Sequence, residues 1–109
     1  MPTRHDHWIG GKPEEPASGA YLPTLDPTTR QPGDEIAAGS AADVERAVAA
    51  AAAAQPAWAR RSAAERSELL HQVADAVESG ADELIELDRA CTGKVTGQLR
   101  MEADTAAAY

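Results

Sequence analysis

Six consecutive alanines, Ala49–Ala54, lie within the segment Ser40–Trp58 and constrain this chain more than any other feature. Alanine is the best intrinsic helix former because it has no side-chain entropy to lose. Ser40 is a good N-cap, and Asp43 follows it at capping-box spacing. Val44, Val48, Ala51 and Trp58 recur at helical spacing. They predict an apolar docking stripe, with Asp43, Glu45 and Arg46 facing water. Pro56 predicts a stop or kink, with Gln55 pushed toward an extended conformation and Trp58 landing just past the break.

The same alanines limit what such a helix can bury. Of the 47 residues behind the 43% hydrophobic content, 25 are Ala, and there is no Phe. At about 25 cal/mol per Å², a methyl group contributes far less than the roughly 1.5–3 kcal/mol of a buried Leu or Val. Ordering each residue costs about 1–2 kcal/mol. A length of 109 residues suffices for one domain, but this composition predicts a thin core and an incomplete domain.

Charge and cysteine use narrow the class. A net charge of -8 argues against nucleic acid or an anionic membrane as partner. Met1–Asp6 precedes no apolar run of a secretory signal, and no window approaches the roughly 18 residues of a membrane span. The single cysteine, Cys91, allows no internal disulfide and fits a reducing compartment. The expected setting is cytoplasmic.

Six of the seven prolines and five of the eight glycines precede Ser40, which divides the chain into an extended part, 1–39, and a helical part, 40–109. In the first, His7–Ile9 predicts a short strand and Gly10-Gly11 a hairpin turn. Lys12 to Gly19 reads as loop. Tyr21–Leu25 predicts a second strand, at an edge because of Pro23. Asp26-Pro27 through Pro32-Gly33 is turn chemistry, and Glu35–Ala38 predicts a third strand. In the second part, Ser62-Ala63-Ala64-Glu65 is a full capping box. The helix it opens carries Leu69, Leu70, Val73 and Val77 on one stripe and ends at Gly80. A third helix starts at Asp82-Glu83, where acids favour the N-terminal dipole, and places Leu84, Leu87 and Cys91 on one face. Gly93 suits a left-handed C-cap, and Lys94 suits the exposed carbonyls there. A fourth helix from Val95, with Val95, Leu99, Ala106 and Tyr109 near one stripe, has no stop signal. That predicts a truncated chain.

Few residues invite a chemical role. His5 and His7 form an H-x-H pair, but without a third ligand nearby they read as a solvated tail. Arg60-Arg61 reads as solvated charge between helices, and His71 as a surface residue. A reactive thiol needs a helix N-terminus or a nearby base, whereas Cys91 falls near a helix C-terminus on a leucine-bearing face, so it is expected to be structural filler. Gly93-Lys94 lacks the upstream glycine and the following Ser or Thr of a P-loop. No residue is assigned as catalytic, cofactor-binding or metal-binding.

The order of these phrases resembles the amino-terminal segment of the aldehyde dehydrogenase superfamily. The resembling residues are Trp8-Ile9-Gly10-Gly11, Leu25-Asp26-Pro27-Thr28-Thr29, Ser40–Val44 with Ala47–Ala51, Pro56-Ala57-Trp58, Ala64-Glu65-Arg66, Ala81–Leu84 and Thr92-Gly93-Lys94. There are departures: Cys91 stands where an acid or Asn is usual, Val95 where Pro is, and Thr29–Gly33 replaces a shorter glycine-containing turn. The resemblance implies a mostly α segment with short N-terminal strands. It would be a fragment of an α/β fold comprising a Rossmann-like cofactor domain and oligomerisation strands. The implied activity is oxidation of an aldehyde to an acid with NAD or NADP through a cysteine thiohemiacetal, aided by a Glu base and an Asn oxyanion donor. In the family those groups lie well downstream. The resemblance therefore implies scaffolding for this segment, a homo-oligomer for the full enzyme, and no bound cofactor here. The competing class is a stand-alone acidic, alanine-rich helical interaction protein without activity; a truncated, inactive gene product is a third reading.

Overall fold

The computed structural model describes residues 2–108. Five short strands precede four helices: β1 (Arg4–His5), β2 (His7–Ile9), β3 (Lys12–Glu14), β4 (Tyr21–Leu25), β5 (Pro32–Ala37), α1 (Ala41–Arg60), α2 (Ala63–Ser79), α3 (Ala81–Thr92) and α4 (Thr96–Ala108). The mostly helical class with short N-terminal strands is therefore as the sequence predicts. Two compact units result. One holds the described residues up to Leu25 together with Pro32–Arg60; the other holds Asp26–Gln31 and the residues from Arg61 on.

In the first unit, β5 lies between β1, which it pairs in parallel, and β4, which it pairs antiparallel. β4 is an edge strand, where Pro23 is tolerated. β2 and β3 form a separate hairpin. Gly10 and Gly11 have φ of 63° and 82°, the two positive values that a tight primed turn demands. Lys12–Glu14 is thus a strand and not the expected loop. Its Pro13 faces Trp8 one pair beyond the turn-flanking Ile9–Lys12 pair. Antiparallel pairs alternate, so this is a non-hydrogen-bonded position where a missing N–H costs the ladder nothing.

α1 departs from expectation twice. It continues through Pro56 to Arg60. The proline removes one helical donor, and the alanines before it hold the turn together. The predicted docking stripe is also the bare side: Val44, Val48 and Trp58 are exposed, and Ala51 with them. The buried residue of α1 is Asp43, 3% exposed, which the apolar periodicity placed in water. The hairpin approaches where the helix is narrow, with Gly10 against Ala50.

In the second unit, α4 packs on both α2 and α3. The Ser62 box is formed as predicted: Glu65 N–H donates to Ser62 Oγ at 3.2 Å, and Ser62 N–H donates to Glu65 Oε2 at 2.7 Å. Gly80 ends α2 and begins α3. The buried line is Ala81 and Ile85 on α3 and Leu99 on α4, with Leu99 only 2% exposed. Of the expected α2 stripe, Leu69 and Val77 are half-buried while Leu70 and Val73 are exposed. On α3 the inward line lies beside the predicted one, so Leu84, Leu87 and Cys91 face outward. On α4, Val95 and Ala106 are exposed as well, and Tyr109 lies outside the described residues. Each helix meets its neighbours along one narrow line, which is why the stripe is bare on α1 and α3 and half-covered on α2.

Candidate functional site

The densest polar constellation is built around Asp43 at the start of α1. Oδ2 accepts from Ser40 N–H at 2.8 Å and from Ser40 Oγ at 2.7 Å. Oδ1 accepts from Ala17 N–H at 2.9 Å and Arg46 Nη2 at 2.6 Å. Four donors on a buried carboxylate hold its pKa well below the usual range; the Ser40 hydroxyl is the largest cause, followed by the Ser40 and Ala17 amides and Arg46. Arg46 extends the network to Glu14 Oε2 and the Glu15 carbonyl, each at 3.1 Å. His7 Nε2 lies 3.8 Å from Asp43 Oδ2, too far for a hydrogen bond, and is buried without a partner. The constellation clamps the hairpin and the segment after it to the N-terminus of α1. Its donors are backbone amides, a cap hydroxyl and a paired guanidinium, so it positions chain and offers no nucleophile.

A second constellation joins two phrases far apart in sequence. Asp26 Oδ1 accepts from Thr28 N–H at 2.7 Å and Thr29 N–H at 3.2 Å, which lowers the carboxyl pKa. The turn then places Arg30 at φ 61°, the left-handed conformation that a glycine would adopt freely. Pro27 of this turn lies against Gly93, where an added Cβ would come 3.1 Å from Pro27 Cγ. Gly93 itself has φ 69°, the predicted left-handed cap, and its N–H donates to the Arg89 carbonyl. Lys94 does not serve the helix carbonyls. Its Nζ lies 2.8 Å from Glu102 Oε2 and 3.9 Å from Asp88 Oδ2, and Glu102 holds the ammonium pKa up.

Between α2, α3 and α4 lies an open apolar cleft of about 340 Å³, lined mainly by Val77, Leu84, Ile85, Leu99, Ala103 and Ala106. A second open groove, of about 710 Å³, separates Trp8 and Ile9 of the hairpin from the alanine run of α1.

The other singled-out residues do not converge. His5 is in β1, 3.0 Å from Asp34 Oδ2, so the solvated-tail reading of the histidine pair gives way to two strand positions in different sheets. The parallel pairing of β1 with β5 is non-local and leaves no periodic signal in two residues. His71 is exposed, with Nδ1 2.8 Å from the Ser67 carbonyl. Arg60 ends α1, and Arg61 supplies a carbonyl to Arg66 Nη1 at 2.8 Å. Cys91 is exposed and fills nothing. Among the described residues no group of three metal-ligating side chains gathers. The Asp43 clamp was the residue set that sequence reasoning missed. Its Ser40-x-x-Asp43 half is visible as a capping box; its Ala17 and Glu14 half is not.

Comparison with known proteins matches this arrangement. The model of the Aldehyde dehydrogenase family matches residues 14–109. A probable aldehyde dehydrogenase of Streptomyces coelicolor is 45% identical over 82 residues, which are 75% of this chain and 16% of that protein. The structure of 3,6-anhydro-L-galactose dehydrogenase in complex with NAP superposes with a TM-score of 0.93 at 25% identity, covering 97% of this chain and 22% of that one. PnpE in complex with nicotinamide adenine dinucleotide gives 0.89 at 35% identity, covering 99% and 22%. The chain thus spans about a fifth of the length of the proteins it matches. With the match covering most of its residues, this chain belongs to the aldehyde dehydrogenase family.

Proposed function

We propose that this chain is the amino-terminal scaffold of an NAD- or NADP-dependent aldehyde dehydrogenase, and that the whole enzyme oxidises an aldehyde to a carboxylic acid through a cysteine thiohemiacetal. The observation that carries the reading is the family match over residues 14–109, at a fifth of the length of the matched proteins. The bare apolar stripes of α1, α2 and α3 support it, because a segment of a larger fold leaves such faces for other sequence to cover. The cofactor complexes among the similar structures support a nicotinamide dinucleotide for the whole enzyme.

Three features support a reading in which these residues leave that cofactor to other sequence. Lys94 is committed to Glu102 and Asp88, the Glu65 amide in the first turn of α2 is taken by Ser62, and the α2–α3–α4 cleft is mainly apolar. The thiohemiacetal cysteine, the Glu base and the Asn oxyanion donor are accordingly assigned to sequence outside 1–109. Cys91, exposed at the end of α3, takes no part in the reaction. The strands of 1–39 serve as an oligomerisation arm for the helical part, 40–109, in a cytoplasmic homo-oligomer.

The test compares the 109-residue chain with the product of the whole reading frame that contains it, across a panel of aldehydes with NAD and with NADP. The longer product forms reduced nicotinamide and the 109-residue chain does not. Any turnover by the short chain overturns the scaffold reading, and turnover that persists in Cys91→Ser shows in addition that this thiol does not carry it. A folded longer product inactive on every aldehyde overturns the dehydrogenase reading and favours the interaction protein.

A further inference from the structure

We draw no further inference here: the strongest candidate, the open apolar cleft between α2, α3 and α4 lined by Val77, Leu84, Ile85 and Leu99, is an unpartnered face, and nothing in the structure shows what covers it.

Discussion

The two compact units hold themselves together by opposite means. In the unit of strands and α1, the buried residues are Pro16 and a carboxylate, Asp43, and the chain around that carboxylate is fixed by hydrogen bonds from Ser40, Ala17 and Arg46. In the unit of α2, α3 and α4, the buried residues are Ala81, Ile85 and Leu99, and their contacts are non-directional. An alanine helix explains the contrast. Methyl groups bury little area, so α1 offers packing energy too small to orient a hairpin, and directional bonds at its N-terminus do so instead. Where Leu and Ile are available, packing suffices. Polar clamping and apolar packing fail in different ways, which makes the contrast open to experiment.

The largest effect belongs to the apolar unit. Leu99→Ala removes the most buried side chain of α4 and enlarges a cleft that already exists. Large-to-small changes at such sites cost about 2–5 kcal/mol, and the open cleft relaxes enough to place this one near 2–3. Amide exchange of α3 and α4 reads the loss directly. A cost below about 0.5 kcal/mol would mean that packing does not hold the helices, and the contrast between the units would collapse.

The next tests the polar unit and its dependence on pH. The Asp43 carboxyl has a lowered pKa in the folded chain, so its contribution to stability is present above the unfolded value near 3.9 and is lost as pH falls toward the folded one. Asp43→Asn keeps an acceptor but turns an N–H₂ group toward the Ser40 or Ala17 donors. The variant is expected to lose protection at the Ala17 and Ser40 amides near neutral pH. The gap between variant and parent should narrow on acidification from about pH 6 to pH 3. A gap that is constant with pH would show that the carboxylate charge contributes nothing to the clamp.

A smaller effect is expected at Gly93, where backbone and packing act together. Alanine there must hold φ near 69° and meet Pro27 Cγ at 3.1 Å. A left-handed non-glycine residue costs about 1–2 kcal/mol before any crowding. Pairing Gly93→Ala with Pro27→Ala separates the two causes. If the double variant recovers nothing, the contact with the 26–31 turn is incidental and the cost is conformational alone.

What the sequence showed followed from locality. The Gly10-Gly11 turn, the Ser62–Glu65 box and the Gly93 cap each need only a few neighbouring residues, and each formed as read. The phrases from Trp8-Ile9-Gly10-Gly11 to Thr92-Gly93-Lys94 carried the family for the same reason. Burial was less legible. The stripe Val44, Val48, Trp58 has good helical periodicity, but periodicity gives a face and not its partner, and the hairpin docked on the Asp43–Ala50 side. The Ala17 bond to Asp43 spans 26 residues, and the β1–β5 pairing about 31, distances over which one sequence leaves no pattern. The same limit applies to Cys91: its neighbours Leu84 and Leu87 suggested a core face, and the packed line runs one position away through Ala81 and Ile85.

The smallest expected effect sharpens the contrast from its other side. Val73 lies on α2 between half-buried Leu69 and Val77, yet it is 59% exposed. If apolar cohesion in this unit comes only from the covered line, Val73→Ala removes almost no buried area. Alanine also has the higher helix propensity, by a few tenths of a kcal/mol, so the net change should lie within about 0.5 kcal/mol and lean toward stabilisation. Val77→Ala, one turn further along and half-buried, serves as the paired control and should cost about 1 kcal/mol or more. Both are read by amide exchange in α2 at two protein concentrations. Equal costs at both positions would mean that Val73 is covered in solution. If that cost also grew with concentration, the cover would be a second copy of the chain. A neutral Val73 beside a costly Val77 would confine the packing of α2 to a single line of side chains.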